Sequence, residues 1–216
     1  MNAFRTLIIA ALGFTALPAF ALSDNGQAQL HQLQTRWAEI NYQTPEKQRE
    51  EAFAKLVTQA DAALASEPKA AELLIWRGII LSTQAGAKGG LGALGLVKEA
   101  KTNLEQALAI DPQALAGSAY TSLGSLYYQV PGWPIGFGDD EQAEKMLKQA
   151  LAINPDGLDP NYFYGDLLQR QKRYEESRAA LEKALAAKDR PGRELADQGR
   201  RAEATALLQQ VESKLQ

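Results

Sequence analysis

The chain contains no cysteine and a single histidine, His31, among its 216 residues. Without cysteine it has no disulfide framework, no thiolate metal site and no lipid-modified cysteine. One histidine leaves almost no material for a Ser-His-Asp triad or for a metal site built on histidine. We therefore expect that the protein is not an enzyme and that it uses neither a metal nor a cofactor.

Basic residues are slightly fewer than acidic residues. The 23 Lys and Arg stand against 26 Asp and Glu, which gives a net charge of −3 at pH 7. Nucleic acids are bound mainly through basic patches that neutralise phosphates, so an acidic chain is a poor candidate for that role. We expect no nucleic-acid partner.

Long apolar runs are scarce, and the clearest one, Leu7 to Ala16, lies near the N-terminus. It follows the basic Arg5 and precedes the small-x-small sequence Ala19-Phe20-Ala21, an order typical of an export signal. A bilayer-spanning helix needs roughly 20 apolar residues, so an uncleaved anchor is the less favoured alternative. We expect cleavage after Ala21 and a periplasmic mature protein without a membrane anchor.

Small and apolar landmarks recur along the rest of the chain. The clearest copy reads Tyr120-x2-Leu123-Gly124-x2-Tyr127, followed by Ala143-x3-Leu147-x2-Ala150 and Pro155. The same spacing between the last alanine and the proline position recurs at Ala63 to Pro68, Ala107 to Pro112 and Ala184 to Asp189. Small residues allow two helices to approach closely, and a proline just after a helix ends it. The spacing therefore predicts repeated pairs of antiparallel helices.

The pattern resembles the tetratricopeptide repeat (TPR), with Tyr in place of the usual Trp and Leu in place of the usual Phe. The interval from Pro155 to Asp189 equals the period of that repeat. The resemblance implies an all-α fold, a right-handed solenoid of about four helix pairs. A last amphipathic helix that caps the solenoid is predicted from the apolar positions Leu195, Ala202, Ala206, Val211 and Leu215. The predicted segments are a signal at 1–21, a TPR-like domain at 22–192 and a capping helix at 193–216.

Two connections inside helix pairs are longer than the regular one. The interval between the landmarks of a pair is regular from Gly165 to Ser177, longer from Gly124 to Ala143, and longest from Gly78 to Ala100. The longest connection contains the glycine-rich segment GAKGGLGALG, residues 86–95. Glycine inside a helix costs about 0.5–1 kcal/mol relative to alanine. We expect either a flexible surface loop or a loop whose backbone amides approach a ligand or a neighbouring subunit.

The other long connection, Val130 to Asp140, combines two prolines and three glycines with Trp133, Ile135 and Phe137. Burial of each large apolar side chain is worth roughly 1.5–3 kcal/mol, so we expect the segment to fold back onto another surface. Three arrangements remain open. The segment packs on its own repeat, its aromatic residues form the wall of a pocket or a partner site, or it makes an oligomer contact.

In TPR proteins the first helix of each pair lines the concave face. The resemblance therefore implies a binding surface on the first helices of this chain. Its members are Tyr128, Gln129, Tyr162, Asp166, Gln169 and Arg170, with Ile75, Ile79, Thr121 and Ser125 further along the face. The loop residues Trp133 and Phe137 complete the candidate site.

Two functions are compatible with this surface. The first is a periplasmic TPR scaffold that binds a protein or peptide partner on its concave face. The alternative is a binder of small apolar ligands, in which the Trp133/Phe137 loop closes a pocket beside Tyr128 and Tyr162.

The string SLGSLYYQVPGWPIGFGDDEQAEKML is similar to uncharacterised exported bacterial TPR proteins. More remotely, the layout resembles the T component associated with TRAP transporters. That component is a periplasmic helical-repeat protein thought to bind small apolar ligands and to partner a substrate-binding protein. It is typically lipid-anchored through a cysteine that this chain lacks.

Overall fold

A computed structural model describes residues 22–216, and the predicted signal at 1–21 lies outside the described residues. Within 22–216 the regular structure is helical, as predicted. The α-helices are α1 (Asp24–Gln43), α2 (Glu46–Ser66), α3 (Ala71–Lys88), α4 (Leu94–Ile110), α5 (Ala114–Gln129), α6 (Asp140–Ile153), α7 (Leu158–Arg170), α8 (Tyr174–Ala186) and α9 (Glu194–Leu215). No helix in this part of the chain has the length and apolar character needed to cross a membrane.

The helices pack in consecutive pairs, as the repeat predicts. Gly124 of α5 lies against Leu147 of α6, and a Cβ at Gly124 would stand 2.6 Å from the Leu147 side chain. The glycine therefore permits an approach that any larger residue would prevent. The same contact joins Gly78 to Leu104 and Gly165 to Leu181.

The landmark alanines and leucines form the core of each pair. The predicted landmarks that are fully buried, with 0% exposure, include Ala100, Leu104, Ala107, Ala143, Leu147, Ala150, Leu181 and Ala184. Each pair alone would leave an apolar stripe in water, and stacking the pairs covers it. The structure thus confirms the all-α, TPR-like solenoid with four helix pairs and a C-terminal helix.

The C-terminal helix closes the solenoid into a ring. α9 packs on α7 and α8 at the end of the last pair, and it also packs on α1 at the start of the chain. Gly199 of α9 faces the Tyr42 ring of α1, and a Cβ at Gly199 would stand 2.4 Å from that ring. The inner helices α1, α3, α5, α7 and α9 each contact the next, and α9 contacts α1. The predicted cap therefore joins both ends of the repeat array.

The start of α5 departs from the other first helices. The interval from Pro112 to Gly124 is longer than the equivalent interval from Pro155 to Gly165. The additional length is accommodated in a left-handed turn over 115–117, with φ values of 48°, 53° and 76°. Such a conformation costs about 1 kcal/mol or more for a residue with a Cβ.

The glycine-rich segment is mostly helical, which corrects the expectation of a long loop. Gly86 lies in the last turns of α3, and Gly95 lies in the first turn of α4. The chain reverses direction at Gly89 and Gly90, whose φ values are +65° and +60°. No other described part of the chain lies within 4 Å of a Cβ built at either glycine. The additional residues therefore lengthen two helices and leave a short surface turn.

The segment between α5 and α6 folds into a tight turn. Gly132 bridges to Gly138, and the peptide bond between Trp133 and Pro134 is cis. Phe137 packs edge-to-face on Tyr127, with 5.7 Å between ring centroids, as the own-repeat arrangement predicts.

Two apolar side chains at the tip of this turn remain in water. Trp133 is 90% exposed and Ile135 is 53% exposed, so these two side chains, unlike Phe137, do not pack on their own repeat. The amides of Ile135 and Gly136 both donate to the carbonyl of Gly132, at 3.1 Å each. The turn therefore forms hydrogen bonds between its own backbone groups. Its tip extends beyond the surface that Phe137 covers.

Candidate functional site

A cavity of about 690 Å³ lies at the centre of the ring. Side chains from all five inner helices and from the start of α2 form its wall. A second cavity of about 580 Å³ adjoins it. The two share the wall formed by the left-handed turn of α5 with Asp159 and Arg190. The concave face of this solenoid thus surrounds a cavity that side chains from every inner helix line.

Short polar side chains form the α5 side of the cavity. Ser118, Ser122, Ser125 and Gln129 recur at alternating intervals of four and three positions, which places them on one helix face. The Ser118 and Ser125 hydroxyls each donate to a carbonyl of their own helix, at 2.9 Å. Their oxygens remain able to accept hydrogen bonds. This wall is therefore polar and leaves room for a ligand.

Aromatic side chains from α1 and α3 form another part of the wall. The Trp37 ring lies edge-to-face with Tyr42 and with Trp76, at 5.9 Å between centroids in each case. The Trp37 indole N–H donates to Thr83 Oγ1 at 2.9 Å, which fixes the ring. Interlocked rings of this kind provide a rigid apolar surface.

A network of charged residues joins α7 to α9. Asp159 accepts hydrogen bonds from Arg190 at 2.7 Å and from Arg200 at 3.0 Å. The Arg200 side chain is only 12% exposed and lies over the Tyr162 and Phe163 rings, at 4.5 and 4.6 Å. Burial alone would raise the pKa of Asp159, but Arg200 and Arg190 outweigh it and lower that pKa. The carboxylate therefore stays ionised and holds α9 against α7.

A second network joins α5 to α7 and contains four of the predicted site residues. The Tyr128 hydroxyl donates to Asp166 Oδ2 at 2.7 Å and accepts from Gln129 Nε2 at 3.3 Å. The Arg170 guanidinium lies over the Tyr128 ring at 4.9 Å and contacts Asp166 at 3.4 Å. Burial, followed by the nearby Asp166 carboxylate, raises the pKa of Tyr128.

The structure brings three of the predicted residues to the cavity wall. Gln129, Tyr162 and Asp166 line it. Tyr128 is buried behind Asp166, while Arg170 is exposed and Gln169 is half-buried on α7. Of the residues expected further along the face, Ile79, Thr121 and Ser125 line the cavity, whereas Ile75 is fully buried in the core.

The two loop residues lie elsewhere. Neither Trp133 nor Phe137 belongs to the cavity wall, because the α5–α6 turn packs on Tyr127 at the edge of the repeat. Of the residues expected around a pocket beside this loop, Tyr162 lines the cavity, whereas Tyr128 does not. That side of the wall is formed instead by Ala196, Arg200 and Glu203 of α9 and by Arg193, which immediately precedes α9.

The arginines of the α9 side were not predicted, because α9 was expected to serve as a cap. A signal for them exists in the sequence. Gly199 lies as far beyond the proline-equivalent Asp189 as Gly165 lies beyond Pro155. This spacing marks α9 as the first helix of a fifth repeat, and first helices line the cavity.

Two buried polar atoms on the wall lack a hydrogen-bond partner among the described residues. They are the hydroxyl oxygen of Tyr42 and Nε of Arg193. The Arg193 guanidinium lies over the Trp76 ring at 4.8 Å. No group of three or more potential metal ligands occurs within residues 22–216, and His31 lies exposed on α1.

Comparison with known proteins finds a family model that matches part of the chain. Residues 135–193 match the family model of the tetratricopeptide repeat. A solved structure described as the crystal structure of MamA has a TM-score of 0.45 and 21% identity, over 78% of this chain and 91% of that one. A second, described as the crystal structure of MamA protein, has a TM-score of 0.44 and 19% identity, over 87% and 92%.

A further solved structure is TTC0263, a thermophilic TPR protein in Thermus thermophilus. It has a TM-score of 0.40 and 20% identity, over 82% of this chain and 99% of that one. No curated protein matches the chain.

The family match spans α6, α7 and α8, which include the most regular repeat of the chain. The earlier helices are also paired, and the α3–α4 pair has the same glycine–leucine contact. The chain is therefore an all-α, TPR-like helical-repeat protein whose residues 135–193 match the tetratricopeptide repeat family.

Proposed function

We propose that the protein is an exported, non-catalytic scaffold that binds an extended segment of a protein partner inside its ring. TPR folds generally serve as protein-interaction scaffolds, because stacked helix pairs present a continuous inner surface. The observation that carries the proposal is the cavity of about 690 Å³ formed by all five inner helices.

A periplasmic location is part of the proposal. It is supported by the basic, apolar and small-x-small order of residues 5–21. The lining supports binding rather than catalysis. It offers hydroxyl groups, aromatic faces and paired charges, and His31 lies outside it.

The proposal is tested by photo-crosslinking in the organism from which the chain comes. Benzoylphenylalanine replaces Gln129, an exposed residue at the cavity wall, and in a control it replaces Glu182, an exposed residue of α8. We expect a polypeptide adduct in the periplasmic fraction with the first variant alone. Equal adducts from both positions would contradict binding inside the ring, and an adduct in the cytoplasm alone would contradict export.

A second candidate is a small organic molecule in the same cavity. It is favoured by the contact of α9 with α1, which closes the ring and limits the width of the space. Small-molecule sites typically have volumes of roughly 300–1,000 Å³. The same crosslinking distinguishes the two candidates, because an adduct of small-molecule mass at position 129 favours the small molecule.

A further inference from the structure

We infer that the ligand of this cavity carries a carboxylate, which Arg193 and Tyr42 bind. The inference rests on the proposed function, since it assumes that the cavity holds a ligand. It concerns the region of the wall where α9 packs on α1 and where Arg193, just before α9, lies over Trp76 of α3. In that region Arg193 Nε and the Tyr42 hydroxyl have no hydrogen-bond acceptor among the described residues, and a carboxylate supplies one.

Unpartnered polar atoms are concentrated at this cavity. Three buried side-chain atoms within residues 22–216 lack a hydrogen-bond partner, and two of them, the Tyr42 hydroxyl and Arg193 Nε, belong to cavity-lining residues. The third, Gln29 Oε1, belongs to a residue outside the wall. Buried polar groups in folded proteins are almost always paired. We take these two unpaired groups, which belong to residues of the cavity wall, as the groups that a ligand would pair with.

The carboxylates near Arg193 form salt bridges with other arginines. Asp159 pairs with Arg190 and Arg200, Asp197 pairs with Arg190, and Glu203 pairs with Arg200. Burial, followed by repulsion from Arg190, lowers the pKa of Arg193 even though Asp159 and Asp197 act in the opposite direction. An incoming anion would supply the compensating charge.

The geometry of Arg193 favours a flat oxyanion. Its guanidinium carbon lies 4.8 Å from the centre of the Trp76 ring, and this contact restrains the side chain. A guanidinium offers only donors, arranged as a fork that matches the two oxygens of a carboxylate. A held guanidinium of this kind loses less conformational freedom on binding than a mobile one.

Tyr42 supplies a further donor. Its hydroxyl is buried without a partner among the described residues, and burial raises its pKa, so the group stays protonated at neutral pH. Asp159 and Glu203 add to that rise, whereas Arg200 opposes it. Because two carboxylates act on this region, a singly charged ligand group is favoured over a doubly charged phosphate.

A carboxylate of this kind has two sources, a free organic acid or the C-terminus of a polypeptide. Both are probed by calorimetric titration of the purified protein. The probes are phenylacetate with its neutral analogue phenylacetamide, and Ala-Ala-Phe with its C-terminal amide. We expect at least one acid to bind about tenfold more tightly than its amide. Binding of phenylacetate identifies the free acid as sufficient, whereas binding of the peptide acid alone identifies a polypeptide terminus.

Single substitutions then identify the residues that bind the carboxylate. Arg193→Gln should weaken binding of the acid about tenfold and remove the preference over the amide, because the charged donor is lost. Arg193→Lys keeps the charge without the fork and should give an intermediate affinity. Tyr42→Phe should weaken binding of the acid and leave binding of the amide unchanged. Arg36→Gln, at an exposed position of α1, should leave both affinities unchanged.

Three outcomes would overturn the inference: acids and amides that bind equally, an Arg193→Gln protein that retains acid affinity, or no binding of any acid. A thermal melt of each variant separates lost binding from lost folding, and Arg193→Lys with Tyr42→Phe decides the matter if Arg193→Gln does not fold. A crosslinked ligand at position 129 together with no acid preference would leave the proposed function standing and remove only the carboxylate. If no ligand is crosslinked at position 129 and no acid is preferred over its amide, the proposed function and the carboxylate inference both fail.

Discussion

Two tyrosine hydroxyls near the cavity have opposite surroundings. The Tyr42 hydroxyl is buried without a described partner, whereas the Tyr128 hydroxyl donates to Asp166 at 2.7 Å. Tyr42→Phe removes an unsatisfied group and should raise the free energy of unfolding by about 1 kcal/mol. Tyr128→Phe leaves Asp166 short of a donor and should lower it by about 1–2 kcal/mol. Urea denaturation of both variants measures the difference, and a Tyr42→Phe protein that is less stable than Tyr128→Phe would contradict the assignment.

At the scale of single residues, the sequence predicts the landmarks well and the exposed tip poorly. Ala143, Leu147 and Ala150 are buried as their spacing requires, because each fills a contact that recurs in every helix pair. Trp133 is exposed against expectation, since hydrophobicity alone does not say whether a surface is available to cover it. The candidate residues Tyr162 and Asp166 reach the cavity, but Arg193 and Tyr42 depend on the closure of the ring.

At the scale of elements, α9 depends on Asp159. The pKa of Asp159 is lowered in the folded protein by Arg200 and Arg190. A carboxyl with a lowered folded pKa contributes stability that is present above its unfolded pKa, near 3.8, and lost as the pH falls through the folded value. We therefore expect urea stability to fall as the pH drops below about 4.

The Asp159→Asn variant isolates this contribution. It should be less stable at pH 7 by about 2 kcal/mol, because Arg200 and Arg190 lose a shared partner. It should also lose less stability than the wild type between pH 4 and pH 2, since the titrating group is gone. Asp140→Asn, at an exposed position of α6, serves as the control. An Asp159→Asn protein with the wild-type pH profile would show that other carboxylates dominate.

The start of α5 provides a second test at this scale. Ala116 is exposed and has a φ of 53°, in the left-handed region that favours glycine. Ala116→Gly should therefore raise the free energy of unfolding by about 0.5–1 kcal/mol. Ala54→Gly, at an exposed position inside α2, should lower it by a similar amount. Thermal unfolding of the pair decides the matter, and a loss of stability in both would contradict the left-handed turn.

Element boundaries show why part of the fold was predictable. The regular repeat fixes α7 and α8, because the single interval from Pro155 to Asp189 dictates their landmarks. The number of extra residues in the other pairs can be read from the sequence. Their number does not determine which structure they adopt. They lengthen helices around Gly86 and Gly95, form a left-handed turn at the start of α5 and build the Trp133 turn, according to local backbone chemistry.

At the scale of the whole molecule, the proposed function depends on ring closure. A solenoid of four pairs was predictable from the repeat, whereas the return of α9 to α1 rests on long-range contacts such as Gly199 against Tyr42. That contact places a fifth helix around the cavity and brings Arg193 and Arg200 to its wall. The character of the site is thus a property of the closed array rather than of any one repeat.

The most direct test of this account is native mass spectrometry of the protein purified gently from its source. Two versions are compared: the wild type and Ser122→Trp, which places a large side chain in the cavity. A Glu182→Trp protein, altered on the exposed side of α8, serves as the matched control. The account predicts a bound species on the wild type and on Glu182→Trp that is absent from Ser122→Trp, with all three folded. A species retained by folded Ser122→Trp, or absent from all three, would contradict a binding site inside the ring.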